Sequence, residues 1–321
     1  MKVEISLLVN LIEQHYHYQD RFREQIDLGN QISIKSLSVS DWYEKALDKI
    51  QTSNDESYKR FLARKMLDND MYTHRYCALV DKVTSLNDPK ISQARDWLSR
   101  AIVLTKIVHP LGLPIHPPTI FKIVSDTEEV EYKVIPEWTH SQACYVGLKH
   151  PGSLGLERAS SIANLWQPLQ TIYSKQNDYK RIIRALWYYN EASHIRSLEV
   201  SHLVRHAALE SLICVGGAQN RQQIVQRLPK LVDRISPQQA SDIYALCVDI
   251  KHNAAPALLY SLNSNDLDHR DNSRVEAASN LDLAVRSLFE KALQDVSFAD
   301  LLANPKLLEQ EHPVNKKMKK T

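Results

Sequence analysis

The sequence predicts a mostly α protein. A helical N-terminal region spans 1–107, a β-containing connecting segment 108–152, a C-terminal helical bundle 153–300 and a basic, disordered tail 301–321. Three observations point there. Only 7 of 321 residues are glycine, so the chain has few of the left-handed joints that sheet-rich folds place at turns. Apolar residues recur at helical spacing through most of the second half. Alternating and β-branched runs gather in one stretch only, between Val108 and Pro151, where six prolines also fall.

Taken in order, Val3 to Ile26 reads as a first helix stopped by Gly29-Asn30. A second starts after Ser40, placed as an N-cap before Asp41, Trp42 and Glu44. Asn54-Asp55-Glu56 opens a longer helix through Leu86, with Tyr58, Phe61, Leu62, Met66, Tyr72, Tyr76, Leu79 and Val83 as its buried stripe. Pro89 to Val108 follows, with proline in the first turn and His109-Pro110 beyond the end. Thr119–Val124 and Val130–Ile135, separated by the acidic turn at 125–129, predict a hairpin. From Ser160 the helical signal persists: Ile162–Tyr173, Tyr179–Glu191, Ser197–Cys214, Asn220–Leu228, Ser236–His252 and Asn280–Leu293. Turn-forming residues separate these stretches, among them Asn177-Asp178, Gly216-Gly217 and Ser236-Pro237.

Hydrophobic residues at 43% and charged residues at 24% suit a soluble globular chain. A net charge of +2 permits nucleic acid as a partner without demanding it. The one concentrated basic run, Lys316-Lys317-Met318-Lys319-Lys320, sits in the tail, where such runs are usually solvated. Cys77, Cys144, Cys214 and Cys247 are far apart and form no CxxC pair, so reduced thiols are expected and no zinc site is implied. Glu4 interrupts the apolar start and no stretch approaches the ~20 apolar residues of a membrane span, so a cytoplasmic protein without membrane contact is expected.

The informative pattern comprises three segments in order: Arg181-Ile182-Ile183-Arg184-Ala185-Leu186-Trp187-Tyr188-Tyr189-Asn190-Glu191-Ala192, Arg205-His206-Ala207-Ala208-Leu209-Glu210-Ser211-Leu212, and Asp242-Ile243-Tyr244 through Cys247 to Lys251-His252-Asn253. Each is an amphipathic helix, and three such helices can bury one another. Over about 160–298 this order resembles the HEPN superfamily, and more closely its Apea-like branch. The resemblance implies a HEPN-like helical bundle, a homodimer, and a metal-independent endoribonuclease or degenerate relative in a defence or toxin-like system, with RNA as partner and no cofactor. It aligns His252 with the family's motif histidine, which moves protons as the ribose hydroxyl attacks the phosphate. Lys251 is the second catalytic candidate; Asn253, Asp249 and Arg205 are the substrate-binding candidates.

Five residues before His252, where the family carries arginine, this chain has Cys247. A thiol at its ordinary pKa is mostly uncharged and cannot clamp a phosphate as a guanidinium does. The alternative is therefore a catalytically inactive HEPN domain kept for dimerisation or partner docking; a helical scaffold or adaptor is a third reading. Without the resemblance, Lys251 and His252 read as residues satisfying the last carbonyls of a helix, Cys247 reads as a small buried hydrophobe, and Glu210 is either a buried partner of a cation or an exposed carboxylate. The resemblance reaches more weakly back to about Asp96 and leaves the N-terminal hundred residues unexplained; residues 1–150 are expected to sense, regulate or dock a protein partner.

Other constellations are weaker. His109, His116, His140 and His150 lack neighbouring Cys or carboxylate ligands, so no metal is implied. His15-Tyr16-His17-Tyr18 alternates directions on a helix and makes no stacking face. No glycine-rich phosphate loop and no Gly-x-Ser-x-Gly elbow is present.

Overall fold

A computed structural model gives the structure over residues 1–9, 25–36, 56, 74–109, 119–127, 129–135, 156–193, 195, 198–216, 219–252 and 272–314. The chain is mostly helical but also carries a six-stranded antiparallel sheet. The described residues divide into two compact units, the division among them falling between Trp166 and Gln167. Among the described residues no helix is long and apolar enough to cross a membrane.

The first unit corrects the expected N-terminal helices. Strands β1 (Lys2–Val9) and β4 (His74–Val80) stand where helices were expected, and β2 (Ile26–Gly29) and β3 (Ile32–Ser36) fill the interval between the first two expected helices. With β5 (Thr119–Val124) and β6 (Val130–Ile135) they form a sheet of order β2-β3-β4-β1-β5-β6. The reason is visible in β1. Val3, Ile5 and Leu7 alternate with Glu4 and Ser6, so all three apolar side chains fall on one face of a strand. Register places Ile5 opposite Ala78 of β4 on one side and Phe121 of β5 on the other, joining residues more than seventy positions apart in sequence.

Gly29-Asn30 is a hairpin turn rather than a helix stop. Gly29, Asn30 and Gln31 all take positive φ (83°, 52° and 61°), which turns β2 into β3, and Asp27 accepts a hydrogen bond from the Gly29 N–H at 2.8 Å. The hairpin predicted at 119–135 forms at the expected bounds, but it extends the larger sheet through β1. Between them, α1 (Pro89–Val108) is capped by Asp88, whose carboxylate accepts from the Lys90 N–H at 3.0 Å. It packs on β4 and β1 through Leu98, Ala101 and Leu104, and Thr105 hydrogen-bonds the Tyr76 hydroxyl. The helix expected after Ser40 lies outside the described residues, as do 57–73 of the one opened at Asn54.

Helix α2 (Leu156–Ser174) crosses the division. Beyond it the second unit contains α3 (Lys180–Ala192), α4 (Leu198–Ile213), α5 (Asn220–Leu231), α6 (Pro237–His252), α7 (Asn272–Gln294), α8 (Val296–Ala303) and α9 (Pro305–Glu311). All six helices expected from Ser160 onward form, and α7 begins eight residues earlier than its pattern suggested. Helix α9 lies inside the stretch read from sequence as tail. It starts on an Asn304 cap followed by Pro305, and Glu309 meets the buried guanidinium of Arg227. The basic run at 316–320 lies outside the described residues.

Two arginines close the C-terminal end of α4. Arg181 donates to the carbonyls of Ser211 (3.0 Å), Leu212 (3.1 Å) and Cys214 (2.8 Å), and Arg227 donates to that of Ile213 (2.9 Å). These carbonyls have no partner within the helix, and buried without one each costs about 1–3 kcal/mol. Burial holds the Arg181 pKa down to about 10, which leaves it charged at neutral pH. The first arginine of the three-segment pattern is thus a structural brace.

Candidate functional site at the end of the sixth helix

Helix α6 begins at a reciprocal cap: the Ser236 hydroxyl accepts from the Gln239 N–H at 3.2 Å, and the Gln239 side chain accepts from the Ser236 N–H at 2.8 Å. Ala240, Ile243 and Leu246 are buried, and Leu246 packs with Ala277 and Ala278 of α7, against which Ile250 also rests. This anchoring fixes the direction of the neighbouring strip, Tyr244, Cys247 and Lys251, spaced three and four residues apart on one side of the helix.

That strip meets α4. The His206 ring lies 6.0 Å from the Tyr244 ring, centroid to centroid and tilted by 56°. His206 is 1% exposed; its Nδ1 is 3.5 Å from Glu210 Oε1, and Asn220 donates to the same carboxylate oxygen at 3.0 Å. Burial lowers the His206 pKa to about 4, Glu210 opposing the shift and the Lys251 ammonium adding to it. At neutral pH the imidazole is therefore uncharged. Cys247 is 4% exposed, and burial raises its pKa although Lys251 hydrogen-bonds the thiol and pulls the other way. Position 247 thus presents a neutral, buried thiol.

The remaining candidates separate. Lys251 is exposed and Asp249 half-buried, both on the last turns of α6. His252 is the last residue of the helix, its side chain outside the described set, and Asn253 lies beyond the described residues. Arg205 is held elsewhere: its Nε sits 3.7 Å from Asp282 Oδ1 of α7, with the two side chains 11% and 10% exposed. Arg286 donates to the other oxygen of Asp282 at 2.8 Å, and the Tyr189 hydroxyl donates to Oδ1 at 3.4 Å. His202 is buried beside them, its pKa lowered to about 3 by burial first and by Arg205 second. Arg205, Arg181 and Arg227 are all engaged inside the bundle, so none of the three replaces the arginine absent at 247.

Sequence reasoning missed His206 as a neighbour of Lys251, and Asp282 altogether. The only sequence signals were His206-Glu210 and Asp282-Arg286 at i,i+4 spacing. Among the described residues, no group of three or more His, Cys, Asp and Glu side chains could hold a metal ion. His109 of the proline-rich stretch is fully buried and engages Arg158; His116, His140 and His150 lie outside the described residues, as does His15-Tyr16-His17-Tyr18. Family models, curated proteins and solved structures yield no match to this chain.

Proposed function

We propose that the second unit is an Apea-like HEPN domain that acts on RNA in the cytoplasm as a homodimer, in a defence or toxin-like role, with the C-terminal end of α6 as its working point. The observation that carries this reading is the exposed Lys251 standing at that helix end beside the His206-Glu210 pair of α4. The three segments that carry the resemblance are also structural neighbours, α4 packing on both α3 and α6. In this reading His252 takes the proton of the attacking ribose 2′-hydroxyl and Lys251 holds a phosphoryl oxygen. The P–O bond to the leaving 5′-oxygen breaks as the bond to the 2′-oxygen forms, the 5′-oxygen takes a proton from water, and a cyclic phosphate and a 5′-hydroxyl are left. Asp249 and Asn253 flank the RNA, and residues 1–150 dock a protein partner.

A second reading has its own observation. Position 247 is a neutral buried thiol, and three arginines of the unit are tied to carbonyls or to Asp282. Lys251 alone must then offset both a phosphate charge and the negative end of the α6 dipole. Loss of one preorganised charge-stabilising donor typically costs about 100-fold or more in rate. In this second reading the domain binds or dimerises without cutting.

The two readings part in one experiment on the full chain. Single-stranded RNA is incubated with wild type, His252→Ala and Lys251→Ala in excess chelator, with folding checked by circular dichroism. Cleavage by wild type to cyclic-phosphate ends, lost in folded His252→Ala, supports the nuclease. Indistinguishable wild type and His252→Ala sink it, and binding without cleavage selects the inactive reading.

A further inference from the structure

Helix α3 buries Arg181, Ile182, Ala185, Leu186, Tyr189 and Ala192 and turns the opposite stripe outward. Trp187 stands on that stripe 58% exposed, although tryptophan is among the residues most buried on average. Beside it is Tyr188, the two rings 5.2 Å apart and tilted by 59°. One turn towards the N-terminus Arg184 is exposed, and a further turn back so is Lys180. Among the described residues neither cation has an ion-pair partner.

We propose that this stripe is a stacking platform for single-stranded nucleic acid, with a base on Trp187, Tyr188 at its edge, and Arg184 and Lys180 on the backbone phosphates. Successive turns of a helix rise by about 5.4 Å, so the two cations and the ring form a ladder along the axis rather than a point cluster. Aromatic faces accept any base, and flanking cations hold the strand without reading its sequence. The cations also decide between occupants. A second copy of the apolar ring alone would leave Lys180 and Arg184 opposing their own kind or solvent, whereas a polyanion satisfies both. The proposal takes its ligand class from the RNA-directed reading, but assigns a surface that the end of α6 does not include.

The test is fluorescence anisotropy of a labelled twelve-nucleotide oligouridine with the full chain, titrated at several salt concentrations. Trp187→Ala should weaken binding about 10-fold, as expected for loss of one stacked base, and Trp187→Phe by less. Lys180→Ala/Arg184→Ala should lower the slope of log affinity against log salt by about 1.4, from ~0.7 per single-strand phosphate contact. All are surface changes that should leave the melting temperature of the chain unchanged. Unaltered affinity and salt slope in these variants overturn the platform. If Lys251→Ala abolishes binding while Trp187→Ala does not, the α6 reading stands and the platform alone fails; if wild type binds no oligouridine at any salt, both fail. A shift from dimer to monomer in sedimentation of Trp187→Ala, with RNA affinity intact, assigns the stripe to a second copy instead.

Discussion

Along helix α4 two clusters of ionisable side chains lie within two turns of each other. The first centres on Asp282, whose two oxygens face Arg205, Arg286 and Tyr189, with His202 buried alongside. The second centres on His206 and Glu210 and ends in the exposed Lys251. Similar residue types behave differently because the first cluster pairs its charges inside the bundle while the second leaves its cation facing water. A buried charge must be matched where it sits, and such a group is then occupied; an exposed ammonium is screened and remains available. The comparison shows why Arg205, attractive by sequence position, is a brace, and why Lys251 is the better candidate for contact with a ligand.

The sharpest way to break this contrast is Asp282→Ala. It strands two guanidinium groups without their carboxylate and should cost about 3–5 kcal/mol in urea unfolding, a loss typical of breaking a buried pair. A cost under about 1 kcal/mol would mean that the cluster is not closed. Acid titration should show the next largest effect. His202 and His206 titrate at about 3 and about 4 in the folded chain, against 6.5 for an ordinary histidine. Between those values the unfolded chain holds more protons, so stability rises with pH across the window. It should be complete above about 6.5 and fall as pH drops towards 4, and His206→Gln should flatten part of that slope in chemical denaturation measured pH by pH. Tyr189→Phe removes a single neutral donor from Asp282 and should cost about 1 kcal/mol. Smallest of all, Lys251→Ala should change stability by no more than about 0.5 kcal/mol, as befits an exposed side chain. A larger loss there would turn Lys251 from a ligand contact into a structural residue.

The two units also differ in how far sequence reveals them. In the second, helix ends carry their own chemistry: Ser236 and Gln239 cap α6, and Asp295 caps α8 by accepting from the Ser297 N–H at 2.8 Å. Such signals are local, and four of the six helices expected from Ser160 onward lie within three residues of their predicted bounds. In the first, β1 carries so dense a run of apolar residues (Val3, Ile5, Leu7, Leu8, Val9) that helical spacing can be fitted to it as readily as alternation. Its partners arrive from Arg75, Tyr76 and Cys77 in one direction and from Ile120 and Phe121 in the other. No local pattern announces those pairings, because each strand becomes stable only when its neighbours complete the hydrogen-bond ladder.

By itself the sequence determined the helical character of the second half, the helix ending at Lys251-His252, and the thiol at position 247. These follow from residue type, spacing and capping within one segment. The tertiary structure alone decided that strands β1 and β4 replace expected N-terminal helices, that Arg205 belongs to Asp282, and that His206 faces Tyr244 with Lys251 close enough to disfavour its protonation. Periodicity tells which side of an element is apolar; it does not tell which element that side will meet. The charge state of a buried group depends on that meeting, through the water it loses and the charges it gains.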